Sequence, residues 1–224
     1  MIAVALALTL WQTPLYERED RKIEGWSVHI RKELLRDEKD LTEKALTMIG
    51  DQLKEIKRVV PKAAVAELQK VPLWLSPEYP GIVPRAEYHP GAEWLKEHGR
   101  DPIMAKGIEF TNIRIFAAEV KRMPIFVLHE LAHAYHDRVL GFDDPRIKTA
   151  FDHAQASGNY DHVLRSDGKT VKAYAMTNER EYFAEGTESY FGRNDFYPFD
   201  RKDLKEADPE LFGIMQAVWT KPKG

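Results

Sequence analysis

The sequence predicts an α+β fold, and three observations carry that reading. Short segments rich in β-branched and aromatic residues fall mainly in the first half of the chain. Segments whose apolar residues recur at helical spacing dominate the second half. No repeat, low-complexity tract or linker divides the chain, so residues 23–224 are expected to form a single domain behind an N-terminal segment, 1–22.

The elements follow in order. IEGWSVHI, 23–30, reads as a strand. A helix is expected over 38–60, where Leu41, Ala45, Met48, Leu53, Ile56 and Val60 keep a roughly helical spacing and Pro61 stops it. A short helix over 63–70 leads into PLWLS, a strand. Five prolines between 77 and 106 predict an irregular region with a short helix at 92–98. GIEFTNIRIF, 107–116, is the strongest strand signal in the chain. Pro124 opens a helix that Gly141 closes, apolar on nearly every face and therefore buried. After Asp143 come another helix, a turn at 157–161, an extended piece around 172–174, a helix from Asn178 to Phe191, and a last helix over 203–219.

Bulk properties exclude several classes. The 224 residues, 43% hydrophobic and 31% charged, suit an ordinary globular protein. A net charge of -3 predicts no nucleic-acid partner and no attraction to acidic membranes. There are no cysteines, which removes disulfides, thiolate metal ligands and a cysteine nucleophile. The apolar run Ile2–Leu10 has signal-peptide length but no basic flank, and is too short to span a bilayer. It reads either as a signal remnant or as an N-terminal strand.

The chemistry concentrates in HELAHAYH, 129–136. His129 and His133, four apart, share one helix face and can share one tetrahedral metal. Glu130 points about 100° away, where a general base takes a proton from metal-bound water. The bland alternative is a pair of core histidines. His136 lies only three residues beyond His133, which suits a supporting or surface position, and the H-E-x-x-H-x-x-G-x-x-H pattern is excluded because its glycine falls on His136 and its last histidine on Val139. A third ligand must come from elsewhere. Glu181, Glu185 and Glu188 form a carboxylate stripe in AYAMTNEREYFAEGTESYFG, 173–192. A solvated acidic face, or a capping role for Glu181 three residues after Asn178, is the alternative. Beside the histidine pair Glu181 is expected to be the metal ligand, and Glu185 to accept a hydrogen bond from a ligand histidine. His153 and His162, which flank the QASGNYD turn, read as surface positions, with a place lining the cleft as the alternative. His29, His89 and His98 lack supporting context. Trp26, Trp74 and Trp94 read as packing, and the mixed charges of 31–54 as a solvated face.

H-E-L-A-H together with Y-A-M-T-N-E-R-E-Y-F-A-E resembles the gluzincin zinc metallopeptidases. Within them it is similar to the group that holds the catalytic domain of anthrax lethal factor and the clostridial Pro-Pro endopeptidases. In that group a tyrosine lies seven residues before the glutamate ligand, as Tyr174 lies before Glu181. The clear match covers roughly 122–192. The resemblance implies a zincin-like fold with a small mixed sheet and a central H-E-x-x-H helix. It implies Zn2+ held by His129, His133 and Glu181, Glu130 as base, Tyr174 on the oxyanion, and a peptide or protein substrate. It also places GIEFTN where the edge strand binds substrate backbone. The tail NDFYPFDRKDL resembles a little-characterised group of secreted zincin-like proteins, which implies a secreted protein. The rivals are a catalytically idle zincin used for binding, for which Glu130 and Tyr174 would be superfluous, and a structural zinc site, for which a fourth ligand such as His136 would be needed.

Overall fold

The computed structural model describes residues 16–220. The run Ile2–Leu10 lies outside them.

β1 (Arg18–Ile23) and β2 (Trp26–Arg31) form an antiparallel hairpin around Glu24 and Gly25, both at positive φ. Such a two-residue turn matches the strand twist. The sheet's first strand thus begins inside the stretch read from sequence as an N-terminal segment. On β2 the period of two buries Trp26, Val28 and Ile30. β1 reads REDRKI and stays at the sheet edge, where its charges discourage pairing with another chain.

α1 (Lys32–Asp37) and α2 (Lys39–Val59) follow, then α3 (Lys62–Leu68). Ala45, Leu46, Ile49, Leu53 and Ile56 give α2 a buried stripe, and Pro61 separates it from α3. β3 (Leu73–Leu75) runs parallel to β2. The irregular region contains β4 (Ala86–Tyr88), α4 (Ala92–Glu97) and a 3-10 turn at Pro102–Met104. β5 (Ile108–Phe110) pairs parallel with β3 and antiparallel with β4. The sheet order is β1-β2-β3-β5-β4.

GIEFTN is therefore not an edge strand. β5 is interior, and β4, from a stretch expected to be loop, forms the edge. β5 ends early because the Thr111 hydroxyl bonds the Arg85 carbonyl, and the chain then turns into α5 (Phe116–Arg122). Leu73, Leu75, Ile108 and Phe110 face the main core. The alternate residues Trp74 and Glu109 face a second, smaller buried layer. There Glu109 accepts hydrogen bonds from the Tyr79 hydroxyl and the Arg100 guanidinium and pairs with His89 Nε2 at 3.0 Å. His89, without context in the sequence, is a buried member of this ion-pair layer.

α6 (Phe126–Tyr135) crosses the main core, buried on nearly all faces. Pro124 sits in the turn before it. The helix widens into a π-helical turn, His136–Leu140, which Gly141 closes at φ 86°. α7 (Pro145–Ser157) ends at left-handed Gly158. β6 (Val163–Leu164) and β7 (Thr170–Val171) make a small hairpin. A 3-10 turn at Tyr174–Thr177 delivers the chain to α8 (Glu179–Phe191), which packs along α6. The expected last helix is two: α9 (Arg201–Ala207) and α10 (Pro209–Thr220). Pro209 cannot continue an i→i−4 ladder, and buried Asp208 instead accepts from the hydroxyls of Tyr160 and Tyr182 and from the Leu211 amide. Trp219 on α10 stacks on Tyr135 of α6, locking the helical layer. Among the described residues no helix is long and apolar enough to cross a membrane.

Candidate metal centre

Two crossing helices supply the donors. His129 and His133 stand one turn apart on α6, with ring centroids 4.8 Å apart and planes at 82°. Glu181 comes from the first turn of α8, whose N-cap Asn178 accepts hydrogen bonds from the amides of Arg180 and Glu181. The Glu181 carboxylate leaves the cap and turns to the histidines. Its Oε2 lies 3.1 Å from His129 Nε2 and 3.4 Å from His133 Nε2. The ligand atoms of the three residues all lie within 4.8 Å of one another.

These distances suit a metal. Tetrahedral zinc, with Zn–N near 2.0–2.1 Å, spaces its donor atoms about 3.3–3.4 Å apart. The local charge points the same way, since Glu130, Glu181, Glu185 and Glu188 crowd two imidazoles. Burial alone would raise the Glu181 pKa, but hydrogen bonds to His129 and His133 hold it well below the usual carboxylate range. Burial alone would lower that of His129, yet carboxylates on both its nitrogens hold it well above 6.5. The cluster therefore favours a positive charge at its centre, the condition a divalent cation satisfies.

The support of His129 differs from the sequence reading. Its Nδ1 meets Glu188 Oε1 at 2.7 Å, whereas Glu185 Oε1 stands 3.8 Å away, outside hydrogen-bond range. Glu185 is buried one turn earlier, and its Oε2 accepts instead from the Asn194 amide at 2.9 Å. Two helical turns bring Glu188 back to the Glu181 face, deeper under α6. Burial and neighbouring Glu188 push the Glu185 carboxyl upward. His129, Glu185 and Glu188 form a second carboxylate–imidazole group, all buried. It engages Nδ1, the nitrogen already bound to Glu188, and so orients the ring for a ligand at Nε2.

His136 belongs to neither donor group. It is fully buried, neither at the surface nor supporting a ligand, with both ring nitrogens unpartnered among the described residues and its ring 4.9 Å from that of Phe183. Among the described residues the structural-site reading thereby lacks its fourth ligand. His153 and His162 are exposed, His153 pairing with Glu210. His29 stacks on Trp74, and Trp94 lies between His89 and His98.

The donors open onto a cleft whose upper rim is β4. Arg85, Ala86, His129, Glu130 and Tyr174 line it on both sides of the donor cluster. One half continues past His133, Glu181, Phe142 and Arg180. The other continues past Phe126, Met123, Arg122 and Phe196. Glu130 Oε2 accepts a 2.9 Å bond from the Tyr88 amide, tying it to the edge strand. Tyr174, 47% exposed, presents its phenol to the cleft from the 3-10 turn before α8. Burial, then the charge of Glu181, raises its pKa and keeps the hydroxyl protonated as a donor.

The sequence missed β4, because Ala86–Tyr88 lies among prolines, and it chose the wrong glutamate beneath His129. The i, i+7 interval from Glu181 to Glu188 was the available signal. No protein-family model, curated protein or solved structure matches this chain.

Proposed function

We propose that the protein is a zinc-dependent endopeptidase of zincin-like fold. The observation that carries this reading is the three-donor cluster His129, His133 and Glu181, open to a cleft into which Glu130 and Tyr174 also project. Three protein ligands leave one position free, the arrangement of catalytic rather than structural sites. Zinc bound there would lower the pKa of a water in that position to about 7 and polarise a substrate carbonyl.

The chain's own groups supply the rest. Glu130 accepts the proton of the attacking water and returns it to the leaving amine. The Tyr88 amide holds the carboxylate in place between these transfers. The Tyr174 hydroxyl donates to the oxyanion of the tetrahedral adduct. Glu188 holds the His129 ring, so that Nε2 faces the donor centre.

The substrate backbone has a template. In the antiparallel β4–β5 ladder, Arg85 and His89 bond toward β5. The alternation of such a ladder directs the backbone groups of Ala86 outward, over the cleft. An extended peptide pairing there passes beside Glu130. A catalytically idle zincin would bind peptides in the same groove but would have no use for Glu130 or Tyr174.

Glu130→Gln separates these readings. It should retain zinc and abolish cleavage of every peptide that the wild type cuts, since an amide keeps the shape but cannot take the proton. A chelator-insensitive activity, or full activity in Glu130→Gln, would count decisively against the proposal.

A further inference from the structure

Four arginines line the cleft, and their partners differ. Arg85 pairs with Glu87 at 3.0 Å. Arg122 is held by Glu119 at 2.7 Å and Asp195 at 2.9 Å. Arg165 pairs with Asp167. Arg180 has no carboxylate partner among the described residues. Glu181, its neighbour in sequence, is turned to the histidines. The Arg180 guanidinium instead lies over the Phe142 ring, 4.0 Å from its centroid.

That setting suits a binding group. Contact with the ring face holds the guanidinium over Phe142 and uses none of its five N–H donors. The helix cap at Asn178 fixes the backbone that carries it. The exposed cation therefore lines the cleft with its N–H donors available to a planar anion. A carboxylate is the ligand that a guanidinium fork binds bidentately.

Strand direction gives the side. β4 runs from Ala86 to Tyr88, with Tyr88 and Pro90 on the Arg180 half of the cleft and Arg122 on the opposite half. A peptide pairing antiparallel with β4, the more stable of the two modes, enters at the Arg180 half and leaves at the Arg122 half. Residues before the scissile bond then lie beside Arg180, and a free C-terminal carboxylate would lie on the wrong side. Resting on the peptidase reading for the bond that is cut, we infer that Arg180 selects substrates with an aspartate or glutamate side chain within the few residues N-terminal to the scissile bond.

The test uses zinc-loaded full-length protein and a peptide library in which each position flanking the cut carries Asp, Asn or Lys. In the wild type, Asp before the cut should raise kcat/KM over Asn by roughly 2- to 5-fold, the range for one ion pair at an exposed guanidinium. Arg180→Gln should bring that ratio close to one, Arg180→Lys should keep part of it, and Arg180→Glu should turn it toward Lys. The same peptides titrated onto Glu130→Gln read binding without turnover and should show the same order. Cleavage without acidic preference, a preference on the C-terminal side, or a preference that survives in Arg180→Gln overturns the inference and leaves the peptidase reading standing. Acid-selective binding to Glu130→Gln that is lost in the Arg180→Gln background, with no cleavage by the wild type, overturns the peptidase reading and leaves the carboxylate anchor. Neither binding nor cleavage overturns both.

Discussion

Substituting His136 with leucine should remove a large part of the protein's acid sensitivity. The imidazole is fully buried against Phe142 and Phe183, and neither ring nitrogen has a partner among the described residues. Burial, then the charge of His133, pushes its pKa from 6.5 down to about 4. Between those values the unfolded chain binds a proton that the folded chain refuses. Stability therefore rises with pH across the window, is flat above 6.5, and has lost the whole contribution below about 4. At about 1.36 kcal/mol per pH unit, the full loss comes to about 3 kcal/mol. Leucine breaks no hydrogen bond there, and a swap of similar volume costs less than about 1.5 kcal/mol. Urea unfolding followed by tryptophan fluorescence, with a chelator in both samples, gives the two stabilities at about pH 7.5 and about pH 4.5. The wild type should lose about 2–3 kcal/mol more than His136→Leu between these conditions. Equal losses would refute the reasoning, because a histidine that finds water on opening gains nothing from its replacement.

The remaining predictions concern the metal centre. Elemental analysis should give one zinc per chain, and Glu181→Ala should lose most of it; full occupancy in that variant would move the third ligand elsewhere. Glu188→Gln should weaken zinc about 10- to 100-fold in a competition with a chromophoric chelator, and Glu185→Gln should weaken it less. The reverse order would mean that Glu185 swings to His129 when metal binds. Tyr174→Phe should keep zinc and KM while lowering kcat by roughly 100- to 1,000-fold, as loss of an oxyanion donor does. Wild-type turnover in that variant would remove Tyr174 from the site.

Local pattern made much of this molecule legible. The apolar stripe of α2, the cap at Asn178, the stop at Pro61 and the turn at Gly141 each depend on residues within a few positions of one another, and each was readable. So was the pairing of His129 with His133, because four residues make one helical turn. The α+β class followed from the order of those segments. What escaped depends on contacts between distant segments. Ala86–Tyr88 is a strand only because β5 offers it a ladder, despite the prolines around it. The end of β5 is set by a Thr111–Arg85 bond across 26 residues. Glu185 and Glu188 lie on the same helix, and nothing local tells which one meets Nδ1. The depth at which α8 packs on α6 decides it: one turn brings Glu185 to 3.8 Å and two turns bring Glu188 to 2.7 Å. Likewise, that Arg180 stands without a carboxylate among the described residues while its three neighbours in the cleft are paired is a property of the assembled cleft. Helical periodicity states which side chains share a face, but only packing states which of them reach the partner opposite, because that choice depends on interaxial distance and registry between segments far apart in the chain.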